Sequence, residues 1–312
     1  MSTDQHQRPA SPTTLELLGA AGGFVRGMLR PRPVDSRLID TITDAGLPEG
    51  GATVTVRALP QVPRSVPAGG VIEGAGMRRR VRNAMTTFVV EHPEATFLVD
   101  PSYCRDAPHR AIAELPGVLR PVVTPPADTL ATVDSLAAAG VGRIPDFALP
   151  THAHWDHVCG LLDLPGIPVH LRNTERDWIL GPARPPVGGV RSALTDGRAI
   201  VAYELDGPPV ATFTASHDLF GDGAVILVEL AGHTPGSIGV LGRTDAGWVL
   251  LAGDAAWHYE QVDRVRQKPA FPGVFVDEDR DAAFAALHRL HLARRLVRVV
   301  PTHDHDAAAA LR

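Results

Sequence analysis

Short apolar runs, each stopped by glycine, proline or a polar residue, recur along the chain. The runs at 88–90 and 96–99 flank a polar turn containing Pro93, which predicts a β-hairpin. Asp222-Gly223 predicts the turn of a second hairpin. The later segments 228–233, 249–254 and 297–303 each hold a mostly apolar run, which predicts strands buried in the protein.

Between these strands, apolar residues recur with helical spacing. The pattern predicts helices over 15–29, 128–139, 175–180 and 277–296, with the Thr174 hydroxyl capping the third. Residues 181–199 hold two Gly-Pro-rich clusters and predict a loop, which we expect to overhang the functional site.

Strands dominate the first half and alternate with helices later, so we expect an α/β fold of two face-to-face sheets, each covered by helices. Residues 1–50 are punctuated by prolines and predict a partly helical N-terminal extension. Residues 51–312 are expected to form one catalytic domain, because the metal-capable residues described below run from 152 to 303.

Composition excludes several classes of protein. A net charge of −5 over 312 residues argues against a general nucleic-acid binder. No stretch of 18 apolar residues predicts a membrane span, and the polar residues 1–8 lack the order of a secretory signal. With only Cys104 and Cys159, the chain fits a reducing compartment, and we expect a cytoplasmic protein.

Helix 15–29 is expected to pack on the body or on a second subunit in a homodimer, with a membrane surface as the weaker alternative.

The most informative segment is Thr-His-Ala-His-Trp-Asp-His at 151–157. Imidazole nitrogen and carboxylate oxygen are ligands that Zn²⁺ takes. His152 and His154 are two apart at a fraying strand end, so both can face one ion. Asp156 and His157 lie on the following turn, where they can reach a second ion.

Other segments supply further ligands. The three later strands end at His233, Asp254 and His303, and glycine precedes the first two of these residues. Glycine lets the backbone pass close to a crowded site. Four strand ends with ligand residues predict one rim of one sheet system.

This order of motifs resembles the metallo-β-lactamase-fold hydrolases, over roughly residues 70–312. The resemblance implies a four-layer αβ/βα sandwich. It implies a first metal on His152, His154 and His233, a second on Asp156, His157 and His303, Asp254 bridging the two, and Asp100 behind the ligands. Cys159 stands where many members have glycine, and we expect it to pack behind the metal loop.

A dinuclear site implies hydrolysis. Two Zn²⁺ ions about 3.5–4 Å apart would share a water and lower its pKa toward about 7, giving hydroxide at neutral pH. Asp156 is the expected catalytic residue, since it can both bind the second ion and orient the hydroxide. The expected substrate is a small molecule.

Aromatic residues near the ligands suggest the substrate class. Trp155, Phe220, Trp257 and Tyr259 are expected as pocket walls, which suit an apolar or acyl-bearing carboxylic ester or lactone. The motif flanks look most like the N-acyl-homoserine lactonase branch, so acyl-homoserine lactone is the first substrate to consider. That branch typically has a tyrosine three residues after the bridging Asp, where this chain has Trp257.

Three alternatives stay open at this point. A glyoxalase II-like thioesterase would need basic residues for glutathione, and Arg294, Arg295 and Arg298 are available. An iron persulfide dioxygenase would need one iron on two His and one Asp, against which the second ligand set argues. A metal-binding protein without catalysis is the third. Elemental analysis separates two zinc, one iron or no metal per chain.

Overall fold

The computed structural model describes residues 11–311. Its strands are β1 (Thr55–Ala58), β2 (Arg64–Pro67), β3 (Arg80–Asn83), β4 (Phe88–Glu91), β5 (Thr96–Val99), β6 (Phe147–Leu149), β7 (Val169–Arg172), β8 (Ile200–Tyr203), β9 (Ser216–Asp218), β10 (Val225–Glu229), β11 (Ile238–Thr244), β12 (Gly247–Leu251) and β13 (Arg298–Val300).

The α-helices are α1 (Thr14–Leu29), α2 (Ser36–Thr41), α3 (Ala107–Arg110), α4 (Arg120–Val123), α5 (Thr132–Ala138), α6 (Trp155–Val158), α7 (Asn173–Leu180), α8 (Tyr259–Arg264), α9 (Ala270–Val276), α10 (Arg280–Ala293) and α11 (His305–Ala309). Short 3₁₀ helices cover Ala68–Gly70, Ile112–Glu114, Cys159–Asp163 and Gly253–Ala255.

Two sheets face each other. The first has the order β1-β4-β5-β6-β7-β8 and the second β13-β12-β11-β10-β9, while β2 and β3 form a separate ribbon. Alternate residues of each strand point to opposite faces. Phe88 and Val90 of β4 therefore pack between the sheets with Val225 and Leu227 of β10, while Val89 faces the outer side.

Helices cover both outer faces. The outer face of the first sheet packs on the 3₁₀ turns and helices between residues 104 and 194. The outer face of the second sheet packs on α8 and α10, where Phe284 and Leu287 meet Ile226. Helix, sheet, sheet and helix follow in order, which confirms the predicted α/β sandwich.

Several predicted elements are present with shifted ends. β4 and β5 form the expected antiparallel hairpin, and β9 and β10 form the second. α5 begins later than predicted, at Thr132, and α10 begins at Arg280, because the Asp279 carboxylate accepts from the first-turn amides. The capping role predicted for Thr174 is wrong, since α7 already begins at Asn173.

The N-terminal segment packs on the second half of the chain. Small residues of α1 allow close approach to α9, with Gly23 against Ala270. The Asp35 amide donates to His288 Nε2 on α10 at 3.0 Å. The domain division at residue 50 stays a prediction. Within residues 11–311, no helix is both long and apolar enough to cross a membrane.

The carboxyl ends of five strands meet at one rim of the sandwich. β5 and β6 are parallel, as are β12 and β13, and β10 runs in the same direction as β12 because both are antiparallel to β11. The loops that follow these strands carry all the metal-capable residues identified in the sequence.

Candidate metal centre

Three imidazoles converge at this rim. His154 Nδ1 lies 3.0 Å from His152 Nε2 and 2.8 Å from His233 Nε2. The nitrogens of a tetrahedral zinc ion, with Zn–N distances near 2.0–2.1 Å, are about 3.3 Å apart. All three rings are buried. The spacing therefore fits one shared ion.

A second group lies beside the first. Asp156, His157 and His303 each offer one ligand atom, and these three atoms lie within 4.8 Å of one another. The Asp254 carboxylate spans the two groups: its Oδ1 is 3.2 Å from His157 Nε2 and 3.3 Å from His303 Nε2, and its Oδ2 is 3.4 Å from His233 Nε2. The structure thus brings together all seven predicted ligand residues.

The electrostatics of the cluster fit metal ions. Burial, helped by the neighbouring imidazoles, lowers the pKa values of His152 and His154 well below their ordinary range, so both rings are neutral with available lone pairs. His157 Nε2 and Asp254 Oδ1 are buried and lack a hydrogen bond to other described residues. Because such atoms are costly to bury unpaired, an ion between them explains the arrangement.

The glycines predicted to relieve crowding do so. Gly232, before His233, has φ +133°, and a Cβ there would collide with the backbone of α10 at Ala283. Gly253, before Asp254, has φ +51°, and a Cβ would meet the Thr151 side chain. Both conformations disfavour other residues.

Asp100 lies behind the ligands, as the sequence predicted. Its Oδ2 is 3.0 Å from His157 Nδ1, and its carboxylate also accepts from the Thr151 amide and from the Thr151 and Thr302 hydroxyls. A proton on Nδ1 directed at Asp100 leaves Nε2 for an ion. Asp100 has φ +52°, a strained conformation that these contacts hold.

Glu175 is a supporting residue that sequence reasoning missed. Its buried carboxylate accepts from the Ala153 amide at 2.7 Å, the Thr234 hydroxyl at 2.7 Å and the Gly236 amide at 3.0 Å. It therefore joins the loop of His152 and His154 to the loop of His233. Burial raises the pKa of Glu175 to about 7. Its neighbours in sequence resemble an ordinary amphipathic helix, so no local signal marked it.

A buried charge network supports His233 from the other side. His233 Nδ1 lies 2.8 Å from Asp277 Oδ1, and Lys268 Nζ lies 2.7 Å from the same oxygen. Arg280 pairs with Asp277 Oδ2 at 3.2 Å. Burial alone would raise the pKa of Asp277, but Lys268 and His233 hold it below its usual range. No local pattern in the sequence marks this network.

The ligands form one end of a cavity of about 340 Å³. Trp155 and Trp257 line it, as predicted, and the remaining walls are largely apolar, with Met85, Leu119 and Val122 among them. Tyr103, which is distant in sequence from the ligands, also lines the cavity, with its ring centroid 5.7 Å from that of Trp155.

Two of the four aromatic residues predicted as pocket walls lie elsewhere. Phe220 stacks on His92 at 3.8 Å, because it follows β9 at the rim opposite the metal ligands. Tyr259 opens α8 and faces a separate groove with Arg294 and Arg298. Both residues are close to the ligands or strand ends in sequence only, so their assignment to the pocket is wrong.

Trp257 contacts the centre directly. Its indole Nε1–H donates to Asp254 Oδ2 at 2.6 Å. His258 lies outside the cavity, 3.6 Å from Asp304. Cys159 is buried behind the metal loop, where its thiol donates to the Ser102 carbonyl at 3.0 Å.

The loop over 181–199 contains no regular helix or strand, and it covers His154 as predicted. The Gly188 carbonyl accepts from the Trp155 amide at 2.8 Å, and Gly188 is part of the cavity wall.

Two curated proteins are similar to the chain in sequence. Probable metallo-hydrolases of Mycobacterium tuberculosis and Mycobacterium bovis are each 32% identical to the chain over 170 residues, which is 50% of this chain and 54% of theirs. The chain thus spans about half the length of the curated relatives it matches.

Solved structures share the fold at low sequence identity. An N-acyl homoserine lactone hydrolase with the product N-hexanoyl-L-homoserine at its catalytic metal centre gives a TM-score of 0.61 at 17% identity, covering 84% of this chain and 98% of that one. A probable metal-dependent hydrolase from Staphylococcus aureus gives 0.54 at 13% identity, covering 82% and 91%.

The family itself is settled by a match along most of the chain. Residues 81–303 match the family model described as the metallo-beta-lactamase superfamily. This range includes every residue of the candidate metal centre and both sheets apart from β1. The chain belongs to the metallo-beta-lactamase superfamily, as its motifs predicted.

Proposed function

We propose that the protein is a dinuclear zinc hydrolase that cleaves a carboxylic ester or lactone with an apolar arm. The observation that carries this proposal is the placement of two complete ligand sets at one end of a cavity whose other walls are largely apolar. A polar reacting group would sit at the ligands while an apolar arm lies along the walls.

The chain's residues divide into two sets for two ions. His152, His154 and His233 would hold the first and Asp156, His157 and His303 the second, with Asp254 shared. Zinc at such a site acidifies water and polarises a carbonyl oxygen.

Asp156 has the position of a catalytic residue. It lines the cavity, and its Oδ2 lies 3.5 Å from His303 Nε2. Its carboxylate can accept a hydrogen bond from the attacking water and direct the water's lone pair at the substrate carbonyl. Water then adds to the carbonyl carbon, the bond to the alcohol oxygen breaks, and a carboxylic acid and an alcohol result.

The apolar walls favour esters and lactones over glutathione thioesters. Arg64 is the one arginine or lysine among the described residues that line the cavity. Arg294, Arg295 and Arg298 line the separate groove beside Tyr259 and cannot clamp a substrate at the ligands. The lactonases among the structural neighbours make acyl-homoserine lactones the first lactones to test.

The outward face of α1 supports homodimer formation. Leu15, Leu18, Val25 and Leu29 are 58–80% exposed, and with Gly22 they form a stripe spaced by three and four residues. This stripe spans about 80° of the helix circumference. An apolar stripe of this small width is typical of a helix that pairs with one other helix. A membrane-surface helix would need a wider apolar face and more basic residues than the single Arg26 beside it.

A substrate panel tests the proposed function. Zinc-loaded protein should hydrolyse a carboxylic ester or lactone faster than S-lactoylglutathione or a phosphotriester, and should contain two zinc ions per chain. Faster turnover of the thioester would overturn the substrate assignment. One iron per chain would point to the dioxygenase alternative.

A further inference from the structure

Lys268 is the single lysine among the chain's 30 basic residues, and it is 3% exposed. On a surface, lysine and arginine both serve as solvated charges, and this chain uses arginine at every other basic position. Lysine differs in having a compact ammonium on a flexible stem. The one lysine of this chain therefore occupies a position buried from water, where the shape of its charged group matters.

The ammonium contacts the supports of two metal ligands. Its Nζ lies 2.7 Å from Asp277 Oδ1 and 2.8 Å from Nδ1 of His233. It also lies 5.0 Å from the centroid of the Trp257 ring, within the range of a cation–π contact. Trp257 in turn donates to Asp254 Oδ2. One charge thus touches the groups that orient His233 and Asp254.

A planar fork at this position would find its second acceptor oxygen already paired. Asp277 Oδ2 is already paired with Arg280, whose guanidinium also donates to the Lys268 carbonyl at 2.8 Å. A second guanidinium would have to compete for the same carboxylate or move away from the Trp257 ring. The point charge of an ammonium satisfies both contacts at once.

We propose that Lys268 is a positioning residue of the metal centre, which orients His233 through Asp277 and Asp254 through Trp257. The inference rests on the proposed zinc centre but requires no particular substrate. Partners behind the ligands commonly change metal affinity by 10- to 100-fold when they are lost.

The test measures metal binding. Zinc affinity is determined by competition with a chromophoric chelator for wild-type protein, Lys268→Met and Lys268→Arg, and the visible spectrum of the cobalt-substituted proteins reports ligand geometry. We expect both variants to bind zinc on the order of 10- to 100-fold more weakly and to alter the cobalt spectrum. Arg289→Met is the matched control, because Arg289 is a half-buried cation that donates to the Thr212 carbonyl and does not line the cavity. It should leave both readouts unchanged.

Full affinity in Lys268→Met, or complete rescue by Lys268→Arg, would overturn the positioning role. Should Lys268→Met not fold, Lys268→Gln retains a donor to Asp277 without the charge, and wild-type affinity in that variant would also overturn the proposal. If the wild-type protein binds no zinc, the proposed function fails together with the positioning role. If the wild-type protein binds zinc and the Lys268 variants bind it equally well, only the positioning role fails.

Discussion

Two buried carboxylates of this site, Asp254 and Glu175, differ in pKa because their neighbours differ. Burial alone would raise the pKa of Asp254, but His303 and His157 hold it well below its usual range. Glu175 retains a raised pKa, because its burial outweighs the hydrogen bonds that it accepts and the charge of Arg172. The ionised Asp254 is suited to share two cations, whereas Glu175 is suited to join two loops.

Asp156→Ala should reduce hydrolysis by at least about 100-fold while the fold remains intact. The side chain lies on the cavity wall and is only partly buried, so its loss opens no core cavity. Turnover with zinc content controlled, together with the circular dichroism spectrum, checks this. Normal turnover in the folded variant would refute the assigned role of Asp156.

Glu175→Gln tests the pH dependence of stability. The pKa of Glu175 is raised from 4.5 to about 7, so the folded state binds this proton more tightly than the unfolded state. Its contribution is fully present below pH 4.5 and is lost as the pH rises through 7. Relative to the Gln variant, wild-type protein should lose about 3 kcal/mol of unfolding free energy over this range. Urea unfolding of chelator-treated protein at pH 5 and pH 8 measures the difference, and a gap that does not vary with pH would contradict the shift.

At the scale of elements, α1 has two opposite faces with different residues. Ala20, Gly23 and Gly27 turn toward the body, where Gly27 lies against Glu73. The exposed apolar stripe lies on the other side. Leu17, Phe24 and Met28 are half-buried beside these small residues, so the exposed stripe is a second apolar surface in addition to the face that packs on the domain.

Leu18→Glu should therefore weaken self-association, since it places a charge in the centre of the stripe. Sedimentation velocity over a concentration series should show a dimer in wild-type protein and a shift toward monomer in the variant. Ile144→Glu is the control, because Ile144 is 74% exposed and lies outside α1. A monomeric wild-type protein at high concentration would exclude the homodimer.

At the scale of the whole molecule, the candidate metal centre draws its residues from both sheets. The candidate ligands follow β6 of the first sheet and β10, β12 and β13 of the second. Ions that bind only the folded chain would therefore stabilise the sandwich as a unit.

Removal of metal should lower the thermal midpoint of unfolding. Zinc at 100- to 1,000-fold above its dissociation constant would contribute roughly 3–4 kcal/mol. Scanning calorimetry with chelator, and again after zinc is returned, measures the loss and its recovery. Equal midpoints with and without chelator would contradict tight binding at this site.

The sequence by itself determined the family, and it predicted the candidate ligands and the strands that carry them. These predictions follow from local properties of the sequence. They are the spacing of His and Asp in 151–157, the apolar runs that end at His233, Asp254 and His303, and the glycine before each of the first two of these residues. Helix ends were predicted less well, because side chains such as that of Asp279 decide them.

Only the tertiary structure decided which other residues reach the centre. Glu175 and Lys268 are distant from the ligands they support in sequence, and ordinary local patterns surround them. Phe220 and Tyr259 fail as pocket walls for the converse reason: nearness along the chain does not place a side chain on the same side of a sheet or turn. Contacts between distant segments depend on how the layers pack, and a single sequence carries no direct record of that packing.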